Sequence, residues 1–152
     1  AKEIEEQNTV TNYIENIVKK YGENIQKSDT KDHISRNIKH LKTEFSLKIN
    51  PNKVENLIQE LHPTPAVCGF PKNICTKAIR NFENSERELY AGYIKIETEE
   101  FLYYFVNLRC AKIYKNAALL FVGGGINKDS QPEKEWLETE LKAEAVAKNL
   151  EF

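Results

Sequence analysis

Four glutamates at helical spacing are the first residues in this sequence that could do chemistry. Glu3 and Glu6 lie three positions apart near the start of the chain, and Glu135 and Glu138 repeat that spacing near its end. Two residues three apart on a helix project from the same face. Four convergent carboxylates could hold a hard cation such as Mg²⁺, which prefers oxygen ligands. A solvated helix face would show the same spacing, so both interpretations stay open.

Glycines and an arginine in the second half of the chain could bind an anion. Gly123, Gly124 and Gly125 directly follow an apolar run, and glycine lets backbone N–H groups approach a ligand closely. Arg109 lies in a hydrophobic stretch predicted to be a strand, and its planar guanidinium suits a carboxylate. That carboxylate could belong to a substrate or to a structural glutamate. The glycine run could equally be a tight bend at a strand end.

The helices that must position these residues are predicted from the spacing of apolar side chains. Apolar residues recur at helical spacing over residues 4–21, which predicts an amphipathic helix. Residues 23–41 are polar and are predicted to be a linker or a weak helix. The sequence Ser130-Gln131-Pro132-Glu133 predicts a capping box that opens a final helix to about residue 150. Shorter helices are predicted over residues 51–61 and 73–82.

Strands are predicted where the period of the sequence changes. Residues 43–49 alternate apolar and polar side chains, and the runs 89–97, 101–114 and 117–122 are rich in β-branched and aromatic residues. Charged or asparagine-containing turns separate these three runs, which predicts an antiparallel meander. The predicted fold class is therefore α+β, with an antiparallel or mixed sheet and flanking helices.

Composition excludes several classes of protein. Twenty-two basic and 23 acidic residues give a net charge of −1, which favours neither nucleic acid nor an anionic membrane as a partner. Every apolar stretch is shorter than the roughly 20 residues that span a bilayer. Cys68, Cys75 and Cys110 are odd in number and lack a C-x-x-C spacing, so a reducing cytoplasm is expected. These thiols are interpreted most simply as small core residues.

Six short motifs follow one another along the chain. They are Lys2-Glu3-Ile4-Glu5-Glu6, Leu61-His62-Pro63-Thr64-Pro65-Ala66-Val67-Cys68-Gly69-Phe70-Pro71, Glu86-Arg87-Glu88-Leu89-Tyr90-Ala91-Gly92, Leu108-Arg109-Cys110-Ala111, Gly123-Gly124-Gly125-Ile126, and Glu135-Trp136-Leu137-Glu138-Thr139 with Lys142. Together they resemble the chorismate-binding family of isochorismate, anthranilate, aminodeoxychorismate and salicylate synthases. The resemblance covers nearly the whole chain and implies the fold of that family.

The resemblance implies a role for each matching residue. Glu6 and Glu138 are implied to hold Mg²⁺, which neutralises the ring carboxylate of chorismate, with Glu3 and Glu135 as neighbouring acids. The implied ligands of the enolpyruvyl carboxylate are Tyr90, Arg109 and the amides of Gly123, Gly124 and Gly125. Lys142 is implied to assist a carboxylate or the acidic cluster.

Within this family the chain most resembles the isochorismate synthases, because these have Ala at the position of Ala66 where anthranilate synthases carry Thr. The implied reaction is a Mg²⁺-dependent isomerisation of chorismate, in which water adds at C2 and the C4 hydroxyl leaves, for menaquinone or siderophore biosynthesis. An aminating enzyme such as anthranilate synthase and a non-catalytic binding fragment remain alternatives. The sequence departs from the family at Gln7, where His is usual, at Lys95, where a small residue is usual, and at Gly124, where Ala is usual.

The resemblance also implies that this chain is incomplete. The family's general base, a Lys, and its general acid, a Glu, lie upstream of the motif at residues 2–6, so no catalytic residue is assigned within the chain. Residues 1–152 are therefore expected to be the C-terminal portion of a chorismate-binding domain, inactive alone. Phe101 to Val106 carry apolar or aromatic side chains at every position and are expected to be covered on both faces in the whole protein. Exposing them predicts a homodimer of the fragment.

Overall fold

Two structural units divide the chain after residue 79 in the computed structural model, which describes residues 2–35 and 38–150. The first unit, Ala1–Ile79, combines helices with a long antiparallel ribbon. The second unit, Arg80–Phe152, combines two hairpins with one long helix. The expected α+β class is confirmed.

Helices α1 (Lys2–Tyr21) and α2 (Val54–Leu61) supply the core of the first unit. Ile17 and Val18 on α1 and Leu57 on α2 are each at most 7% exposed. Burial of one such side chain contributes roughly 1.5–3 kcal/mol. The helix predicted over residues 4–21 is confirmed. The half-buried apolar residues packed around this core are Tyr13, Ile14, Tyr21, Ile25, Phe45, Leu47, Ile49 and Leu61.

Residues 23–41 contain strands, so their prediction as a linker or weak helix was wrong. Strand β1 (Gly22–Lys27) pairs antiparallel with β4 (Phe45–Ile49), and between them β2 (Lys31–Ser35) pairs antiparallel with β3 (Ile38–Lys42). Pairing of backbone N–H and C=O groups stabilises the β2–β3 hairpin, where polar side chains are tolerated, while Ile25 of β1 packs against the core. The polar composition of this segment therefore concealed its strands.

The segment that follows β4 carries the proline-rich motif. The Asn50 side chain accepts a hydrogen bond from the Asn52 amide and opens a short 3₁₀ turn before α2. After α2 come a short helix α3 (Pro65–Cys68) and the longer α4 (Lys72–Phe82). The peptide bonds His62–Pro63 and Phe70–Pro71 are both cis. The helices predicted near residues 51–61 and 73–82 are confirmed.

In the second unit four strands form two separate antiparallel pairs. Strand β5 (Tyr93–Glu97) pairs with β6 (Leu102–Val106), and β7 (Cys110–Ile113) pairs with β8 (Ala118–Phe121). The expected antiparallel pairing is confirmed. Among the described residues the pairs are two-stranded sheets, so the prediction of a continuous meander was wrong.

One face of the β5–β6 hairpin is entirely apolar, and we call it the apolar hairpin face. Ile94 lies opposite Phe105 and Ile96 lies opposite Tyr103, while the ring of Phe101 packs 5.9 Å from that of Tyr103. These five side chains are between 43% and 56% exposed. The opposite face is mixed, because it carries the ion pair between Lys95 and Glu97 at 3.2 Å.

Helix α5 (Pro132–Ala147) completes the second unit. Its N-cap position is Gln131, and Ser130 instead accepts a hydrogen bond from the Asn127 amide at 3.0 Å through its hydroxyl oxygen. The predicted capping box at Ser130 was therefore wrong, because this hydroxyl stabilises the preceding turn. Across residues 2–35 and 38–150, no helix combines the length and the apolar character needed to cross a membrane.

Candidate functional site

Lys142 joins the glycine-rich loop to helix α5 in the second unit. Its ammonium donates to the Gly123 carbonyl oxygen at 2.9 Å and to Glu138 Oε1 at 2.5 Å. Lys142 follows Glu138 by four residues, the spacing at which two helical side chains meet. The Lys142 side chain is only 16% exposed. It therefore holds the loop that follows β8 against the face of α5 that carries Glu138.

Gly124 brings this loop close to both acids of α5. A Cβ atom on Gly124 would lie 3.6 Å from Glu135 Oε2 and 3.9 Å from Glu138 Oε1. The Glu135 oxygen is shielded from solvent, whereas the Glu138 side chain is 50% exposed. The two carboxylates thus approach one stretch of loop backbone, and one of them is open to a ligand from solution.

Tyr90 contacts the loop through its hydroxyl group. A Cβ atom on Gly123 would lie 2.7 Å from Tyr90 Oη, so glycine is what allows the phenol to approach. The Tyr90 ring stacks on Phe121 with 6.0 Å between centroids, and the Arg87 guanidinium lies 5.7 Å from its centroid. Burial raises the pKa of Tyr90, while Arg87 acts against that rise. The phenol is therefore a neutral hydrogen-bond donor near neutral pH.

Tyr90 lies in a backbone turn, and Arg109 lies in a bend. The Ala91 amide donates to the Asn107 carbonyl, and the Asn107 amide donates to the Gly92 carbonyl, both at 2.8 Å. Ala91 and Arg109 have φ angles of 64° and 52°, in a region that residues with a side chain rarely adopt. Backbone strain of this kind persists only where the surroundings fix it, and it is frequent at functional sites.

Arg109 lies at the bend between strands, so its prediction within a strand was wrong. Strand β6 ends at Val106 and β7 begins at Cys110, and Arg109, with its left-handed φ, lies in the connection between them. The residue is half-buried. It directly precedes Cys110, which lies opposite Phe121 in the β7–β8 register.

The second unit brings six of the predicted residues into one neighbourhood around the loop: Tyr90, Gly123, Gly124, Glu135, Glu138 and Lys142. Gly125 continues the exposed loop. Sequence reasoning missed Arg87, Asn107 and Phe121. Arg87 lies in the same motif as Tyr90 and could have been found there, whereas Phe121 is identified only by the strand register.

The first unit contains the other acidic pair, on the first turns of α1. Glu6 is half-buried and lies 3.8 Å from Lys2 Nζ, and Glu3 is exposed. The neighbouring Gln7 donates through Nε2 to Thr43 Oγ1 at 3.0 Å and to Thr11 Oγ1 at 3.5 Å. This amide therefore fixes the turn of α1 that carries Glu6 to the connection between β3 and β4.

Ala66 lies in the first unit, on the short helix α3, and is exposed. The motif around it is held at both ends. The Lys72 ammonium donates to the His62 carbonyl oxygen at 3.3 Å, and the Gly69 amide donates to the Pro65 carbonyl oxygen at 2.9 Å.

A cavity of about 630 Å³ lies in the first unit, and none of the predicted site residues lines it. Glu60 closes one side of it by accepting hydrogen bonds from Lys20 and from Tyr21. Lys20 first, and Tyr21 next, lower the pKa of the Glu60 carboxyl. The lining residues are Thr9, Asn12, Tyr13, Asn16, Ile17, Lys20, Gln59, Glu60, Phe70 and Lys72.

The donor chemistry of the acids fits a hard divalent cation. Glu135 and Glu138 offer carboxylate oxygens, the ligand type that Mg²⁺ prefers. Within the part of the chain that the structure describes, no group of three or more His, Cys, Asp or Glu side chains is placed to hold a metal ion. The second unit by itself thus provides two candidate ligands.

Comparison with known proteins gives a consistent result. Residues 1–151 match the family described as chorismate binding enzyme. The chain is 40% identical over 105 residues to isochorismate synthase EntC of Escherichia coli, covering 68% of this chain and 27% of that protein. It is 31% identical over 150 residues to the vibriobactin-specific isochorismate synthase of Vibrio cholerae, covering 96% of this chain and 38% of that protein.

A solved structure shows the same fold. The crystal structure of a Bacillus anthracis protein described as a 2,3-dihydroxybenzoate-specific isochorismate synthase, DhbC, superposes with a TM-score of 0.82. Sequence identity is 28%, and the match covers 97% of this chain and 40% of that one. The chain thus spans between 27% and 40% of the length of these relatives.

Proposed function

The chain belongs to the chorismate-binding enzyme family, and we propose that it supplies the metal- and carboxylate-binding part of an isochorismate synthase. The observation that carries this proposal is the convergence of Tyr90, Lys142 and the Glu135–Glu138 pair on the glycine-rich loop. A substrate with two carboxylates needs cationic groups and neutral donors together, and these residues provide both.

One carboxylate of chorismate is proposed to bind at the glycine-rich loop. The neutral Tyr90 hydroxyl donates one hydrogen bond, and exposed amides of the loop donate others. Arg109 supplies a guanidinium that can contact both oxygens of the carboxylate. Because the strained turn and bend fix the backbone at Ala91 and Arg109, these donors are positioned before the substrate arrives.

The acids are proposed to hold Mg²⁺, with Glu138 and Glu135 as candidate ligands in the second unit and Glu6 and Glu3 in the first. When bound, the cation supplies positive charge that neutralises the ring carboxylate of chorismate. Lys142 contributes a second positive charge beside Glu138 and keeps that carboxylate oriented toward the loop. No residue of this chain is proposed as the general acid or base.

The proposed reaction adds water at C2 of chorismate and releases the hydroxyl group from C4. Exposed Ala66 stands where, by the family resemblance, isochorismate synthases carry Ala and anthranilate synthases carry Thr, which supports water as the nucleophile. The product would enter siderophore or menaquinone biosynthesis, in keeping with the vibriobactin-specific relative. The three free cysteines are compatible with a cytoplasmic enzyme.

Product analysis tests this proposal. The full-length protein that contains this chain is incubated with chorismate and Mg²⁺, with and without ammonium, and the products are separated chromatographically. We expect isochorismate in both incubations. Anthranilate or another aminated product that requires ammonium would contradict the proposal, and so would chorismate recovered unchanged by a folded protein.

We further propose that this chain self-associates as a homodimer through the apolar hairpin face. A twofold pair places the same surface of each copy in contact, so an apolar face is complementary to itself. Five adjacent apolar side chains, each about half exposed, form a surface that soluble proteins normally cover. A second copy is therefore its proposed occupant.

A further inference from the structure

Two thiols lie near Gly69: Cys68 directly precedes it in the proline-rich motif, and Cys75 follows that motif on α4. Cys68 is the last residue of α3 and is only 4% exposed. Cys75 lies in the first turn of α4 and is half-buried. Both are free thiols. Six residues separate them along the chain, and Gly69 is the first of these.

Gly69 lets the motif approach Cys75 closely. A Cβ atom on Gly69 would lie 2.7 Å from the Cβ and 3.0 Å from the Sγ of Cys75. Contacts this short exclude any side chain at position 69, and the φ angle of 74° disfavours one as well. The sulfur of Cys75 therefore packs against the residue that directly follows Cys68.

Cys68 turns its own sulfur toward the same glycine and the same helix. Its Sγ donates to the Gly69 carbonyl oxygen at 3.4 Å and to the Pro63 carbonyl oxygen at 3.5 Å. Burial raises the pKa of the Cys68 thiol and Lys72 acts against that rise, as does a hydrogen bond with the Thr76 side chain. Lys72 and Thr76 flank Cys75 on the first turns of α4, so the thiol of Cys68 faces that end of the helix.

We propose that Cys68 and Cys75 form a reversible disulfide when the protein meets a hydroperoxide such as hydrogen peroxide. This site is independent of the proposed function. Cys75 is the more exposed thiol and reacts first: its thiolate attacks a peroxide oxygen, the O–O bond breaks, and hydroxide leaves to give a sulfenic acid. The Cys68 thiol then gives up its proton as its sulfur attacks that of Cys75, the S–S bond forms, and the sulfenic hydroxyl leaves with that proton as water. Two thiols are oxidised, and the peroxide is reduced to two molecules of water.

The disulfide would close a short ring between α3 and α4. Such a ring restricts the backbone of Gly69 to Pro71, which joins the two helices. The exposed residue Ala66 lies on the helix that the bond would fix. Oxidation would therefore reduce the mobility of the whole motif, and a dithiol reductant would restore it.

Thiol counting after peroxide treatment tests the proposal. The purified native protein is treated with hydrogen peroxide, remaining thiols are alkylated under denaturing conditions, and peptides are mapped by mass spectrometry without reduction. We expect two of the three thiols to escape alkylation, a Cys68–Cys75 cross-linked peptide to appear, and dithiothreitol to return both thiols.

Two single variants complete the experiment. In Cys110→Ser, which removes the thiol of β7, the same cross-link should form in full. In Cys75→Ser the intramolecular cross-link should be lost, while circular dichroism shows an unchanged fold. Three alkylated thiols after treatment of the native protein, a cross-link that includes Cys110, or over-oxidation of Cys75 without a cross-link would overturn the proposal.

Discussion

The phenol oxygen of Tyr90 lies 2.7 Å from the position that a Cβ atom on Gly123 would occupy, so a side chain at residue 123 would clash with the phenol. Gly123→Ala should therefore overpack this contact and reduce the free energy of unfolding by about 1–3 kcal/mol. Chemical denaturation followed by circular dichroism measures the change.

A double-mutant cycle isolates the contact. The Tyr90 Cζ atom is 3.8 Å from the same point, so Tyr90→Phe removes the only atom in severe conflict. The double variant Gly123→Ala, Tyr90→Phe should recover most of the stability lost on Gly123→Ala. Additive losses in the double variant would show that residue 123 is constrained by something other than the phenol.

Glu138→Gln tests the proposed metal site in the second unit. Losing a carboxylate should weaken Mg²⁺ binding by at least the roughly 10–100-fold that removal of even an outer partner costs. Glu140→Gln, two positions further along α5 and also exposed, is the matched control. Titration calorimetry of the full-length protein gives both affinities. An equal loss of Mg²⁺ affinity in the two variants would show that Glu138 belongs to a solvated helix face and is not a metal ligand.

The same comparison applies to helix α1. Glu6→Gln should lower the Mg²⁺ affinity of the full-length protein and its Mg²⁺-dependent turnover, while the exposed neighbour Glu5→Gln should change neither. Because Glu6 is paired with Lys2, circular dichroism must first show that the helix is intact. Unchanged metal dependence in Glu6→Gln would remove this helix from the proposed site.

Glu15 should make the stability of the fold depend on pH, with a sign that follows from its lowered pKa. Its hydrogen bonds with Lys19, at 2.6 Å, and with Lys27, at 2.7 Å, lower its pKa from 4.5 to about 2. A carboxyl whose folded pKa is depressed stabilises the fold above its unfolded pKa and loses that effect as pH falls through the folded value. Wild type should thus exceed Glu15→Gln in thermal stability above pH 4.5, and the difference should vanish near pH 2.

Salt provides the control for this measurement. All three side chains are at least 26% exposed, so added salt should screen their interaction. The stability difference between wild type and Glu15→Gln should shrink at high ionic strength. A difference that is independent of both pH and salt would assign the effect of Glu15→Gln to helix propensity instead.

Self-association through the apolar hairpin face is tested by adding charge to it. Light scattering at micromolar concentration should give twice the 17.6 kDa mass of one chain for the wild type. Ile96→Lys should shift the protein toward monomer, whereas Lys95→Gln, on the opposite face of the same strand, should not. A wild-type monomer that binds no hydrophobic dye would contradict the proposal.

The spacing of apolar residues correctly predicted those elements that are stabilised by burying a row of apolar side chains. The stripe that contains Ile17 and Val18 identified α1, because those residues pack against Leu57. It did not identify β2 and β3, where register pairs such as Asp32 with Leu41 and His33 with His40 carry no apolar pattern. Backbone pairing across a local hairpin stabilises these two strands, and the composition of either strand does not reveal it.

In the candidate site, too, the sequence predicted some features and not others. Spacing alone placed Glu135 and Glu138 on one helix face, and the motif order placed the glycine loop beside them. The left-handed backbone of Arg109 was not predictable from its residue type, because residues with a side chain rarely adopt that region. Nearby Asn107 forms backbone hydrogen bonds with Ala91 and Gly92, far back along the chain. A sequence gives the residue types of a site. The backbone conformation that orients their side chains depends on contacts with residues far along the chain.

The hydrogen bond from Gln7 to Thr43 has a consequence for behaviour near neutrality. An imidazole at position 7 would gain and lose a proton around its ordinary pKa of about 6.5, and its bond to a neighbour would change with it. A carboxamide has no such equilibrium. The turn of α1 that presents Glu6 is therefore fixed by a contact that is indifferent to acidification across the physiological range.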